Sequence, residues 1–199
     1  MELQQRIIDH FHQSLDLKVH VIEQFAPQIA QAGEQLFHCL ASEHKILTCG
    51  NGGSAALAQH FSALMLNRYQ HERPGLPTIA LGADSAILSA IAEDTHFNDV
   101  YSKQIRALGQ PGDILLTLSP NDRPASLIQA IQAAHERGMT VIALSGGDGD
   151  GGDIAAILTQ EEIEIRIPSS RTALVHEVHL LIIHSLCDLI EHQLFGGHS

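Results

Sequence analysis

The sequence predicts an α/β protein: a five-stranded parallel sheet sandwiched by helices, of the doubly wound, flavodoxin-like kind, with a long N-terminal helical extension. Three observations predict it. Five short runs rich in apolar and β-branched residues stand out: "KILTC", "PTIAL", "DILLTLS", "TVIALSG" and "EIEIRIP". Segments of helical periodicity separate them, as crossovers between parallel strands require. The runs are mostly continuous rather than alternating, which marks strands buried on both faces. With 199 residues, 44% of them hydrophobic, the chain can build one domain with a sizeable core. We divide it into a helical extension, 1–42, and an α/β core, 43–199.

In chain order, the extension comes first. Ile7, Phe11, Leu15, Val19, Ile22 and Phe25 recur at intervals of three and four, the stripe of an amphipathic helix. Pro27 is expected to break or kink that helix, with Ile29, Leu36, Phe37 and Leu40 carrying a second one. A long apolar stripe outside the α/β core needs a partner, and a second copy of the chain is the natural one. The first strand then runs into "GNGGS", residues 50–54. Its glycines let a backbone approach an anion, and the amides of Gly52, Gly53 and Ser54 open a helix whose dipole favours negative charge. The Ser54 hydroxyl either caps that helix or donates to a phosphate. Further helices are expected over Ser54 to Tyr69, Ser85 to Glu93, Pro124 to Arg137 and Thr172 to Phe195. The Gly/Asp-rich stretch Ser145 to Asp153 reads as a flexible loop; it lacks the glutamate that a calcium loop of the EF-hand type requires. In sheets of this kind ligands sit at the carboxyl ends of the strands.

Charge and cysteine content narrow the function. Eleven basic residues stand against 23 acidic ones, a net −12 that repels nucleic acid in the absence of any basic run. Cys39, Cys49 and Cys187 are odd in number, widely spaced and in apolar contexts, so they read as buried thiols of a reducing compartment. The N-terminus has no apolar signal core, and no apolar run approaches the ~20 residues needed to span a bilayer. The expectation is a cytoplasmic protein that binds neither membrane nor nucleic acid.

Several longer stretches carry a family resemblance: "ILTCGNGGSA…AQHF", "NRYQHERPGLPTIAL", "FNDVYSKQIRALGQPGDILL", "IQAIQAAHERGMTVIALSG" and "EIEIRIPS…HEVHLLIIHSLCDLIE". The chain resembles the sugar isomerase (SIS) family over nearly its whole length. Within it the likeness is to the phosphoheptose isomerases and their relatives, the DnaA initiator-associating proteins. The resemblance implies a homotetramer with a sugar-phosphate pocket at subunit junctions, and Asn51, Gly52, Gly53, Ser54, Asp94 and Ser119 as its binding residues.

The isomerase branch interconverts sedoheptulose 7-phosphate and a heptose phosphate, which needs a base to move a proton between adjacent carbons. The family pattern supplies a Glu four residues after the histidine of the helix following GNGGS. Here His60 is followed at that spacing by Leu64, which takes no proton. The family's hydroxyl-rich turn after the third strand is also altered. Of Ser119, Pro120, Asn121, Asp122, Arg123 and Pro124, only Ser119 keeps the pattern; both prolines lack an amide donor, Asp122 adds negative charge, and only the Arg123 guanidinium would compensate. Pro124 also suits the first residue of the next helix. The expectation drawn from these losses is a non-catalytic homotetramer, with no catalytic residue, that binds the replication initiator DnaA and promotes its assembly at the origin. The alternatives are a phosphoheptose isomerase with a rearranged site, using His184, Asp94 or a metal-bound water, and a sugar-phosphate sensor.

No cofactor is expected, but zinc is compatible with the resemblance. His60, His176 and His184 match metal-ligand positions of zinc-dependent family members, and three imidazoles with an open position suit that ion. His176 and His184 are eight residues apart on one helix, about 12 Å along its axis, so a single ion would strain to meet both. The other reading makes all three packed polar residues at a subunit junction. Leu194 and Phe195, near the end of the last helix, are the candidate partner-binding residues, with a core or interface lid as the plainer role.

Overall fold

The computed structural model describes residues 2–121, 124–149 and 152–196. Helix α1 (Glu2–Ala41) leads into β1 (Ile46–Gly50), α2 (Gly53–Leu66), β2 (Thr78–Ala80), α3 (Ser85–Asp94) and α4 (Ser102–Leu108). Then follow β3 (Ile114–Leu118), α5 (Ala125–Glu136), β4 (Thr140–Gly146), β5 (Ile163–Ile167) and α6 (Thr172–Phe195). All five expected strands are present. They form one parallel sheet in the order β2-β1-β3-β4-β5. Every residue of β1 and β3 is buried, whereas the edge strand β5 alternates, leaving Glu164 and Arg166 half-buried. Burial thus follows position in the sheet: central strands are covered twice, and an edge strand keeps one polar row.

Two cores lie on the two faces. On one, α1, α2 and α6 bring Leu36, Phe61, Met65, Ile183 and Leu186 against Ile46, Leu116 and Leu118. On the other, α4 and α5 bring Ile105, Leu127 and Ile131 against Leu47, Leu115 and Val141. By length and composition α6 could cross a membrane, contrary to the sequence expectation, but half of its apolar window is buried in the first core. Its buried side packs with α1 and α2 on the sheet.

The break expected at Pro27 is absent. Helix α1 is continuous for 40 residues with Pro27 inside it. A proline removes one main-chain hydrogen bond, and here Val21 on one side and Ile29, Ala32 and Leu36 on the other are buried, so packing holds both halves in register. The short helix α4 and the 3₁₀ turn Phe97–Asp99 before it were not anticipated. Pro124 is the N-cap of α5 rather than its first residue. The expected Gly/Asp-rich loop gives up Ser145 and Gly146 to β4, and its Asp150 and Gly151 lie outside the described residues. Gly196 terminates α6 with φ of 77°, the conformation glycine adopts at little cost; Gly197 lies outside the described residues.

Candidate functional site

The strand order reverses at β1: the chain steps to β2 on one side and returns to β3 on the other. A crevice therefore opens beyond the carboxyl ends of β1 and β3, which are in register at Gly50 and Leu118. The GNGGS turn fills one wall. Gly52 caps α2 at φ 56° and ψ −121°, a backbone unavailable to most L-residues. Gly53 lets the last helix close in, since a Cβ there would meet the His176 ring at 2.6 Å. Ser54, the second residue of α2, is fully buried and does not cap the helix; its Oγ lies 3.1 Å from His176 Nε2. Burial lowers the pKa of His176 and favours the neutral ring as partner.

The opposite wall is the start of α5. Ser119 is buried, and its hydroxyl both donates to the Asn121 carbonyl at 3.0 Å and accepts from the Asn121 amide at 3.2 Å, closing its own turn. Asp122 and Arg123, on which the expected phosphate loop turned, lie outside the described residues. Asn51 links the two walls by donating from Nδ2 to Ser126 Oγ at 2.8 Å. Ser126 is not among the residues expected from the sequence; its local signal is a hydroxyl at a helix start after a central strand. Asp94 stands apart. It ends α3, exposed, and among the described residues no hydrogen bond joins it to the turn.

The histidines divide. His60 on α2 and His184 on α6 meet at Nε2–Nε2 3.0 Å although 124 residues separate them. Their rings meet edge to face at 68°, with centroids 5.3 Å apart, and the Tyr69 ring centroid lies 5.9 Å from that of His184. A nitrogen–nitrogen contact of this length needs one N–H and one lone pair, so the pair shares a proton as a unit. Burial first, and the neighbouring His60 second, lower the pKa of His184. His176 takes the other place, beside Ser54. The three candidate ligands are therefore not one cluster, and among the described residues no group of three potential ligands forms. Two imidazoles fall one short of the three protein ligands of a catalytic zinc, and Leu64, half-buried against the apolar core, supplies none. The donor set of the subunit does not fit zinc.

His179, the remaining histidine of this stretch, is fully buried. Its pKa drops to about 4 through burial, and the neutral ring bonds the Ser145 carbonyl at 3.0 Å, tying α6 to β4. At the far end of α6, Leu194 packs partly buried on the core and Phe195 is 41% exposed.

Comparison with known proteins agrees with this geometry. The SIS domain family matches residues 9–146. The phosphoheptose isomerase of Chromohalobacter salexigens is 54% identical over 197 residues, 99% of each chain. Two solved structures superpose closely. A phosphoheptose isomerase from Francisella tularensis has a TM-score of 0.89 at 36% identity, covering 96% of this chain and 100% of its own. The phosphoheptose isomerase from Neisseria gonorrhoeae has a TM-score of 0.88 at 44% identity, covering 95% and 98%.

These likenesses correct the functional expectation drawn from Leu64 and the altered loop. Full-length relatives at this identity bear the name of an enzyme, and nothing in them points to a DnaA-binding scaffold at the origin. The assignment of Leu194 and Phe195 to an initiator surface loses its support with it. Leu64 removes a carboxylate, but the fold brings two imidazoles together one turn away.

Proposed function

We propose that this chain, which belongs to the SIS domain family, is a phosphoheptose isomerase that interconverts sedoheptulose 7-phosphate and an aldoheptose 7-phosphate with a rearranged site. The observation that carries this reading is the His60–His184 contact, about 12 Å along α6 from the His176–Ser54 contact that borders the crevice. Aldose–ketose isomerisation removes a proton from the carbon beside the carbonyl and returns one to its neighbour. A neutral imidazole with a free lone pair can accept that proton, while the N–H of its partner ring holds the adjacent oxygen. The Gly52 and Gly53 amides at the start of α2, with Asn51, Ser54 and Ser119 nearby, would hold the anionic substrate. Three buried thiols, Cys39, Cys49 and Cys187, suit a cytoplasmic setting.

The test is turnover of sedoheptulose 7-phosphate by the purified protein, followed by NMR of the aldose product. Product formation is expected without added metal. Binding without turnover would instead leave a sugar-phosphate-binding protein, and no binding would remove the reading altogether.

The same reading includes a homotetramer assembled through α1. Leu3, Ile7, Phe11, Leu15, Val19 and Ile22 are each more than half exposed in the isolated chain. A stripe of that extent is an association surface in a soluble protein. Sedimentation should show a species about four times the 21.6 kDa chain mass, and a stable monomer at micromolar concentration would refute it.

A further inference from the structure

Tyr101 has no role assigned from the sequence, yet it is built into the floor of the crevice. It is 2% exposed and stands at the N-cap of α4. Its single hydroxyl proton is shared between the Gly50 carbonyl and Asn51 Oδ1, the latter at 3.2 Å. Desolvation raises its pKa well above the ordinary tyrosine value, so it remains a donor at any working pH. A donor beside Asn51 decides which way that amide turns. With Oδ1 directed to Tyr101, Nδ2 must point the other way, and it bonds Ser126 Oγ at 2.8 Å.

One hydrogen-bond chain therefore runs from α4 through the turn after β1 to the second residue of α5. Asn51 sits next to Gly52, the N-cap of α2, so the chain fixes the starts of α2 and α5 relative to each other. Ser126 accepts in its bond to Asn51, which leaves its own proton unspent by that contact. It sits on the wall where the hydroxyl-rich turn has become Pro120 and Pro124.

We propose that Tyr101 is a positioning residue for sugar-phosphate binding: through Asn51 it orients Ser126 and sets the spacing of the two helix N-termini that face the anion. This rests on the sugar-phosphate reading above. The chain acts by preorganisation, holding donors in place before the substrate arrives so that less order is lost on binding.

Tyr101→Phe removes one oxygen from a well-packed ring and keeps its volume. Calorimetry with sedoheptulose 7-phosphate should show about tenfold weaker binding, the scale of one lost hydrogen bond, with KM rising more than kcat falls. Ser126→Ala should cost a similar factor, and the double variant little more than either, because both act through one chain. Wild-type affinity in Tyr101→Phe, or fully additive losses, would overturn the proposal. A ligand-free measurement separates this from the functional reading. The Asn51 side-chain amide protons should exchange slowly with solvent in the wild type and rapidly in Tyr101→Phe. Equal protection in both would overturn the positioning role whether or not a sugar phosphate binds.

Discussion

Replacing His184 with alanine is expected to lower kcat for sedoheptulose 7-phosphate by about 10²–10⁴, the usual contribution of a positioned general base. The ring is one half of a proton-sharing pair, and the family position for the carboxylate base holds Leu64. His60→Ala should cost a comparable factor, and the double variant little more than either, because groups that act as a unit fail together. The pH profile supplies a second check. Three titratable groups face or adjoin His184: His60 on α2, Tyr69 on the following loop and Asp188 one turn along α6. Burial first, and the His60 ring second, lower the His184 pKa, so the ring stays neutral below the ordinary imidazole value near 6.5. A base must be neutral to act. The acid limb of kcat/KM should therefore lie below that value and vanish in His184→Ala. Undiminished turnover by the variant would remove the pair from the chemistry.

Glu191→Ala is expected to destabilise the fold by about 3–5 kcal/mol, the cost of leaving one partner of a buried ion pair uncompensated. The Arg73 and Glu191 side chains are 2% and 7% exposed, with Nε–Oε1 at 2.7 Å. Glu191 also accepts the Tyr69, Gln70 and His71 amides, and Arg73 donates to the Leu64 and Met65 carbonyls at the end of α2. One pair thus caps a helix that would otherwise end on orphan carbonyls, and it clamps the loop bearing Tyr69 to α6. Desolvation works against the charge, yet the amides and Arg73 together hold the Glu191 pKa below its usual range. A depressed carboxylate stabilises the fold above its unfolded-state pKa, near 4.3, and that contribution is lost as pH falls through the lower folded value. Urea midpoints should show the deficit at neutral pH and its narrowing in acid. A variant as stable as the wild type at pH 7 would mean that the loop relaxes to hydrate Arg73.

The sequence errors share a cause. Pro27 was weighed as a local breaker, but a helix already packed on both sides of a proline has little to gain by breaking. Leu64 and Pro120 were weighed as losses at fixed positions, and a loss is visible in one sequence whereas a compensation through space is not. Tyr101 and Ser126 escaped for the same reason, being ordinary core-pattern residues until the fold places them beside Asn51.

What the sequence determined by itself is whatever depends on neighbours along the chain. Unbroken apolar runs specify strands buried on two faces, and periods of three and four specify the helices between them. The GNGGS turn announces a strand that ends on a helix start. Tertiary structure alone decided the strand order that opens the crevice between β1 and β3, and the partners of the histidines. His176 and His184 share a helix, yet eight residues of rise carry them about 12 Å apart, so one meets Ser54 and the other meets His60. Proximity along a helix is set by its pitch, but proximity between α2 and α6 is set by how both pack on the sheet, which no local pattern records.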